Sequence, residues 1–173
     1  MELDLTLFVA VALSKMPKGY PLIDKIYKKN KFAFYKRAVD SEFYDNSIVN
    51  EGSIIQTEYA RKALGILLYE PDDADTAADY NSDIYQLVKE AYPYAWQYVK
   101  NNPKIRFTDF FTKLVKKRKG LNSIGDDELN STFVIVLFLC QNLGKTVDTD
   151  DYIYNTFIHE YLFTQYKHSC KRA

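Results

Sequence analysis

The chain has 173 residues, of which 47% are hydrophobic and 16% are aromatic, including 15 tyrosines. This length is sufficient for one domain with a proper core, and six glycines and five prolines are too few for an all-β fold with many turns. The 23 basic and 23 acidic side chains balance, so net charge gives no general reason to expect binding to nucleic acid or to an anionic membrane.

The cysteines and the N-terminus indicate where the protein resides. Cys140 and Cys170 have no spacing that suggests a disulfide framework or a zinc site, and they fit an intracellular protein. The apolar run over residues 5–13 follows Glu2 and Asp4, whereas a secretory signal would carry positive charge there. The run is also too short to span a bilayer. We therefore expect a cytoplasmic protein without a membrane span.

Apolar periodicity predicts a first helix over residues 2–15, which Pro17 and Gly19 end. Its apolar side chains cover most of its surface, so we expect it to pack in the core or in an interface. An interface of this kind would make the protein a homodimer. A second, basic helix runs from Pro21 to about residue 39, and a third, capped by Ser53, extends to about residue 69.

Residues 71–79 form an acidic, alanine-containing segment that we interpret as a surface loop. Ser82 then begins a helix that continues to residue 101, with Pro93 inside it. Proline removes a backbone donor and clashes with the preceding turn, so we expect this helix to kink or split. A compact amphipathic helix over residues 106–119 follows.

The most apolar segment, Asp126 to Leu143, is the element around which we expect the other helices to pack. Its middle reads Phe-Val-Ile-Val-Leu-Phe-Leu-Cys without a polar residue. Acidic residues at its start, and Gly144 and Lys145 after its end, suit the two ends of a helix about 27 Å long. A buried strand is the alternative, because several of these residues are β-branched. The length and the end residues favour the helix.

Thr149 or Asp150 caps a last helix over residues 151–167. We therefore predict an all-α fold of six to eight amphipathic helices around the central apolar helix. The chain is expected to form a single helical domain over residues 1–173. Residues 1–50 would be an N-terminal helical extension, and residues 54–168 would be the core bundle.

Motifs for catalysis or metal binding are incomplete. Asn142–Thr146 ends like a phosphate-binding loop, but Leu139 occupies the position of the required earlier glycine, and a helix C-cap explains the segment. His159 begins a motif like that of zinc proteases, whose second histidine position holds Phe163. The aspartate runs lack the alternation of a calcium-binding loop. We therefore expect no catalytic residue, no metal and no cofactor, and hence a non-enzymatic protein.

The order of elements from residue 54 onward resembles the helical fold of Bcl-2-like proteins. That family wraps amphipathic helices around one very apolar helix and binds helical peptides in a surface groove. Residues 58–64 resemble the family's first helix, residues 84–101 its second and third with Pro93 at the break, residues 107–119 its fourth, residues 130–143 its central helix and residues 148–168 its sixth.

The chain also departs from the family pattern. The family's Asn-Trp-Gly-Arg motif would fall at Asn130–Phe133, where only the asparagine matches and no arginine is present to pair with the ligand's aspartate. The aromatic-rich end after the sixth helix and the C-terminal membrane anchor have no counterpart in this sequence, and residues 1–50 have none in the simplest version of the family fold. Such departures are typical of divergent viral members, which keep the fold and lose the motifs.

The resemblance implies an interaction module that binds an amphipathic helix of a partner protein in a groove. A viral protein of this kind would inhibit apoptosis or innate-immune signalling in its host. The groove walls would be the helices at 84–100 and 105–118. Candidate peptide-binding residues, chosen by position, are Tyr85, Val88, Tyr92, Phe110 and Leu114; core packing is the alternative explanation for each of them. The alternative function is a nucleic-acid-binding or assembly protein that uses the basic helix surfaces 25–37 and 113–119.

Overall fold

The computed structural model describes residues 5–29, 58–69, 73–117 and 126–159, which form an all-α fold with one pair of two-residue strands. The predicted fold class is therefore confirmed. The chain divides into two compact units, one ending at Ala91 and the other beginning at Tyr92. The extension boundary expected near residue 50 lies outside the described residues, so the predicted domain organisation stays a prediction.

Within its described residues, the N-terminal unit contains helices α1 to α4 and one 3-10 turn. They are α1 (Thr6–Ser14), the 3-10 turn (Pro17–Gly19), α2 (20–29), α3 (Glu58–Leu68) and α4 (Ala74–Ala91). α1 packs against α3 and also contacts α4. Because Phe8, Val9 and Leu13 are all buried there, the apolar surface of α1 is used inside this unit. A homodimer through α1 stays a prediction.

Gly19 permits a close approach between the 3-10 turn and α4. A Cβ atom at this position would lie 3.3 Å from Leu87 Cδ1 and 3.5 Å from Ala91 Cβ. The first distance is shorter than a comfortable carbon–carbon contact. The pair Pro17 and Gly19 therefore ends α1 as the sequence predicts, and the glycine also lets the next turn pack on α4.

A polar and aromatic cluster joins α2 to α3. Asp24 accepts hydrogen bonds from Lys62 Nζ at 2.9 Å and from the Tyr59 hydroxyl at 3.0 Å. Tyr59 stacks on Tyr20 with ring centroids 4.2 Å apart. The hydrogen bond from Lys62 contributes most to holding the pKa of Asp24 below its usual value. The cluster fixes the side of α2 that faces α3.

The prediction of an acidic surface loop over residues 71–79 is wrong for its described part, because α4 begins at Ala74. The expected helix start at Ser82 is wrong for the same reason. Asp75 lies in the first turn of α4, where negative charge is stabilised by the helix dipole. Alanine is the strongest helix former, so this composition suits a helix start as well as a loop.

The helix that follows is split at Pro93, as predicted. α4 ends at Ala91 and α5 (Pro93–Asn101) begins with proline in its first turn. Tyr92 between them has φ −135° and ψ 67°, which is not helical. Proline has no N–H to donate and its ring clashes with the carbonyl four residues earlier, which explains the break.

The described part of the C-terminal unit continues with three further helices and two short strands. The elements after α5 are β1 (Lys104–Ile105), α6 (Phe107–Lys117), α7 (Asp126–Leu143), β2 (Thr146–Val147) and α8 (Tyr152–Phe157). α7 has the predicted bounds and is a helix, so the strand alternative is wrong. Its residues from Ser131 to Leu137 are all buried, and it packs against α5. No helix among those described has the length and hydropathy of a membrane span.

The sequence analysis missed the strand pair. β1 and β2 run parallel, with Lys104 opposite Thr146 and Ile105 opposite Val147. The N–H of Asp148 donates to the carbonyl of Ile105 at 2.9 Å. The pair links the connection between α5 and α6 to the connection between α7 and α8. Two-residue strands carry no periodic signal, so no sequence pattern could reveal them.

Asp151 caps α8, whereas the sequence predicted Thr149 or Asp150. Its carboxylate accepts from the backbone N–H of Tyr154 at 3.1 Å. α8 is helical from Tyr152 to Phe157, and the rest of the predicted helix beyond residue 159 lies outside the described residues. The prediction missed the cap by one or two residues, which is the usual uncertainty of a helix boundary.

Candidate functional site

A cleft of about 210 Å³ lies on the C-terminal unit, between α5 and α6. Two turns of α5 form one wall, and the middle of α6 forms the other. The lining residues are Tyr94, Gln97, Tyr98, Asn101, Asn102, Phe110, Lys113 and Leu114. The three on α6 recur at helical spacing, so one face of that helix turns towards the cleft.

The floor of the cleft is apolar. Phe110 and Leu114 lie one helical turn apart on α6 and are only 4% and 5% exposed. The ring of Tyr98 packs against that of Phe110 with centroids 4.9 Å apart. The ring of Tyr94 is 42% exposed at the edge. Tyr94 therefore presents most of the aromatic surface that a partner can reach here without unfolding any part of the unit, above a floor that is nearly covered.

The rim of the cleft is polar and its side chains are largely uncommitted. Gln97, Asn101 and Lys113 are exposed, and their side chains make no hydrogen bond or ion pair with the described residues. Asn102 instead donates from Nδ2 to the carbonyl of Tyr98 at 2.8 Å. The rim therefore offers amide groups and one ammonium group around an apolar floor, an arrangement typical of protein interfaces.

Tyr98 also ties the two cleft walls together. Its hydroxyl accepts from the backbone N–H of Arg106 at 3.1 Å and donates to the carbonyl of the same residue at 3.1 Å. Burial raises the pKa of Tyr98, so the phenol stays protonated and keeps its donor. These two bonds hold the residue that precedes α6 against α5 and so help to set the width of the cleft.

Behind α6, Asp151 joins the starts of two helices. Its carboxylate accepts from the backbone N–H of Thr108 at 3.0 Å and from the Thr108 hydroxyl at 2.9 Å, in addition to capping α8. Burial acts to raise the pKa of Asp151, and the hydrogen bonds from Thr108, Tyr154 and Ile153 outweigh it, so this pKa lies below its usual value. Asp148 pairs with Arg106 at 3.5 Å beside it.

A cluster of aromatic rings supports α6 from within the unit. Phe133 of α7 lies 4.6 Å from Phe107 of α6 and 4.7 Å from Phe157 of α8, measured between ring centroids. Phe111 of α6 stacks on Phe157 at 5.6 Å. Aromatic pairs at such distances stabilise beyond the area they bury. The cleft wall is therefore built on rigid packing and not on a loop.

The five predicted peptide-binding residues lie in three different places in the structure. Phe110 and Leu114 come together in the floor of the cleft. Tyr92 is buried just before α5 and does not line the cleft. Val88 is fully buried and Tyr85 is half-buried, both on α4 in the N-terminal unit. Core packing accounts for Val88 and Tyr92, and the peptide-binding role of the five stays a prediction.

Sequence reasoning missed the α5 wall of the cleft. Tyr94, Gln97 and Asn101 recur at helical spacing on the exposed side of α5. The signal was available as a tyrosine and amide stripe opposite the buried Ala95 and Val99. Apolar periodicity does not reveal this stripe, because a binding rim is polar.

The residues that could suggest catalysis or phosphate binding have structural explanations. Burial raises the pKa of the Cys140 thiol to about 12, so little reactive thiolate forms near neutral pH. Gly144 has φ 65° and follows the last residue of α7, so the segment resembling a phosphate-binding loop is a helix C-cap. In the described part of the chain, no group of three or more metal-binding side chains occurs.

The basic surfaces are described only in part. Lys25 and Lys28 of α2 are exposed, and Lys29 pairs with Asp83 at 3.2 Å. Residues 30–37 and the end of the basic run at 118–119 lie outside the described residues. Acidic residues on α4, including Asp79 and Asp83, belong to the same unit as the α2 lysines.

No protein-family model, no curated protein and no solved structure matches this chain.

Proposed function

We propose that this protein is a non-enzymatic interaction module that binds a helical segment of a partner protein in the cleft between α5 and α6. The observation that carries the proposal is the apolar floor of Phe110 and Leu114, bordered by uncommitted amide groups on Gln97 and Asn101. An amphipathic helix matches this pattern, because it presents apolar anchors in the middle of a face and polar residues at its edges.

The volume of the cleft suits one or two side chains of a partner and not a whole drug-sized ligand. At about 210 Å³, it is smaller than the roughly 300–1,000 Å³ of pockets that enclose drug-sized ligands. Phe110 and Leu114 lie one turn apart, about 6 Å along α6. A partner helix would place one or two anchor side chains there and lie along the surface between the walls. Such a short contact is suited to a transient interaction.

The composition of the cleft supports binding over catalysis. Acid–base catalysis relies most often on histidine and on carboxylates, and the lining contains neither. Its titratable groups are tyrosines and Lys113. We therefore assign the cleft to recognition.

The first class of partner to test comes from the resemblance to Bcl-2-like proteins. It implies a pro-death helical peptide as ligand and inhibition of apoptosis or innate-immune signalling as outcome. The helical architecture and the buried helix α7 at residues 126–143 are compatible with it. No comparison supplies further support, so the cleft carries the general proposal and the resemblance supplies only the peptide panel.

The test is a thermal-shift screen of the full chain against pro-death helical peptides, with short duplex DNA and RNA as separate samples. A ligand present at about 100 times its Kd stabilises the folded state by roughly 2.7 kcal/mol. The variant Asn101→Arg would fill the cleft from an exposed position without altering the core. The matched control is Tyr152→Ala, because Tyr152 is 77% exposed and does not line the cleft.

We expect one or more peptides to stabilise the wild type and the Tyr152→Ala control, and to stabilise Asn101→Arg much less. Equal stabilisation of all three proteins would place peptide binding elsewhere and refute the cleft as the site. Stabilisation by nucleic acid alone, with a steep dependence on salt, would instead favour the basic surface of α2.

A further inference from the structure

Lys113 is the one charged residue among those lining the cleft. It is exposed, and its ammonium group forms no ion pair or hydrogen bond with the described residues. Two other cations in the described part of the C-terminal unit are engaged. Arg106 pairs with Asp148 at 3.5 Å, and Lys100 lies 5.5 Å from the centroid of the Trp96 ring. Lys113 therefore differs from these cations in having its charge available at the edge of an apolar floor.

From this geometry we infer that the partner helix is acidic, and that it presents a carboxylate to Lys113 beside the apolar anchor that contacts Phe110 and Leu114. The inference rests on the proposed function and specifies the chemical class of the partner. Lys113 immediately precedes Leu114 and lies nearly one turn after Phe110. A carboxylate one helical turn from the anchor on the partner would therefore come to the Lys113 side of the cleft.

Asp109 is the acidic side chain nearest in sequence on α6, one turn before Lys113. It does not line the cleft, and no ion pair joins it to Lys113. It therefore leaves the ammonium group available to a partner, although its charge lowers the local positive potential. A basic partner helix would bring its positive charge close to Lys113, and the cleft lining has no carboxylate to offset the repulsion. Such contact between like charges disfavours the wrong partner.

The same ammonium group could contact a phosphate, but the rest of the lining favours a protein carboxylate. Nucleic-acid sites gain affinity by neutralising several phosphates with several cations. The cleft contributes one cation, and its remaining residues are aromatic, apolar or amide. One ion pair on an exposed rim is sufficient to select among helices of different charge.

The experiment measures binding of three labelled peptides to the intact chain by fluorescence polarisation. Each has about 16 residues, which is long enough to be helical in an alanine-rich background, and each carries two leucine anchors one turn apart. They differ at one position, a turn after the second anchor, which holds Glu, Gln or Lys. The proteins are the wild type, Lys113→Glu and Lys104→Glu, since Lys104 is an exposed lysine outside the cleft.

We expect the wild type to prefer the Glu peptide over the Gln peptide by about two- to fivefold, the range of an exposed ion pair. The Lys peptide should bind most weakly, and Lys113→Glu should reverse the order of the Glu and Lys peptides. Lys104→Glu should keep the wild-type order. Circular dichroism melts of the three proteins establish that each is folded, and an exposed lysine can change to glutamate with little effect on stability.

The two proposals fail in different ways. If the peptides bind but Lys113→Glu keeps the wild-type order, the acidic-partner inference is wrong and the cleft remains a helix-binding site. If none of the peptides binds the wild type at concentrations up to about 1 mM, which corresponds to roughly 4 kcal/mol of binding free energy, helix binding itself is refuted.

Discussion

Replacing Asp151 with alanine should destabilise the C-terminal unit more than any other single change at an acidic residue described there. One carboxylate serves the starts of two helices in this structure. It caps α8 through Tyr154 N–H at 3.1 Å, and it accepts from Thr108 N–H and Oγ at 3.0 and 2.9 Å at the start of α6. Both helices therefore lose a polar contact when the carboxylate is removed.

The expected loss of unfolding free energy follows from these contacts. Loss of an N-cap costs about 1 kcal/mol. Loss of the charge-assisted contacts with Thr108 costs about 1–2 kcal/mol more, since Thr108 is exposed and water can replace part of these contacts. We expect Asp151→Ala to cost about 2–3 kcal/mol in total. In a chain of this length, each kcal/mol lowers the Tm by about 2–4 °C. Asp151→Asn should cost about 1 kcal/mol, because asparagine also caps helices well.

The assay combines thermal melts with hydrogen exchange at the amides of Thr108 and Tyr154, which report directly on the two helix starts. Asp150→Ala is the matched control, because Asp150 is exposed and its carboxylate makes no hydrogen bond or ion pair with the described residues. It should change stability by less than about 0.5 kcal/mol. Equal melting temperatures for Asp151→Ala and Asp150→Ala would refute the double-cap account.

The contribution of Asp151 to the stability of the folded state should decrease at low pH. Its hydrogen bonds hold the pKa of the folded-state carboxyl below the usual value, against the opposing effect of burial. The stabilisation is therefore fully present above the unfolded-state pKa of about 3.9, and it is lost as pH falls through the lower folded-state pKa. The stability difference between wild type and Asp151→Ala should be constant from about pH 7 to pH 5 and should shrink below about pH 4.

Two further predictions concern the buried part of the C-terminal unit. Phe133→Ala should destabilise it by about 3–5 kcal/mol, because the ring is fully buried and packs on Phe107 and Phe157; a chemical-denaturation midpoint close to that of the wild type would contradict the packing account. In a Cys170→Ala background, Cys140 should react with iodoacetamide at neutral pH only after denaturation, because burial raises its pKa to about 12. Rapid labelling of the native protein would show that the thiol is accessible.

The helical framework was predictable where the sequence carries a long apolar signal. α7 was predicted with its observed bounds, because a continuous apolar run flanked by acidic residues and Gly144 has few other solutions. The split at Pro93 followed from the chemistry of proline alone. The acidic segment before α4 was misjudged because acidic and small residues suit both a surface loop and the first turn of a helix.

The candidate site was predictable only in part. Phe110 and Leu114 were chosen by their position in the helix expected to form one groove wall, and they lie in the floor of the cleft. The polar wall on α5 is a stripe within one helix that apolar periodicity does not register. The tie made by Asp151 depends on residues far apart in sequence. Asp151 contacts Thr108 across 43 positions, and no periodic pattern in one sequence reports such a pairing.

We propose that the cleft between α5 and α6 receives a helical segment of a partner protein. The most direct measurement is a two-dimensional amide NMR titration of the isotope-labelled full chain with the glutamate-bearing peptide. We predict that the largest shifts occur at Gln97, Asn101 and Lys113, with small shifts on α2. Shifts confined to the lysines of α2, or no shifts at saturating peptide, would contradict the assignment of the cleft as the binding site.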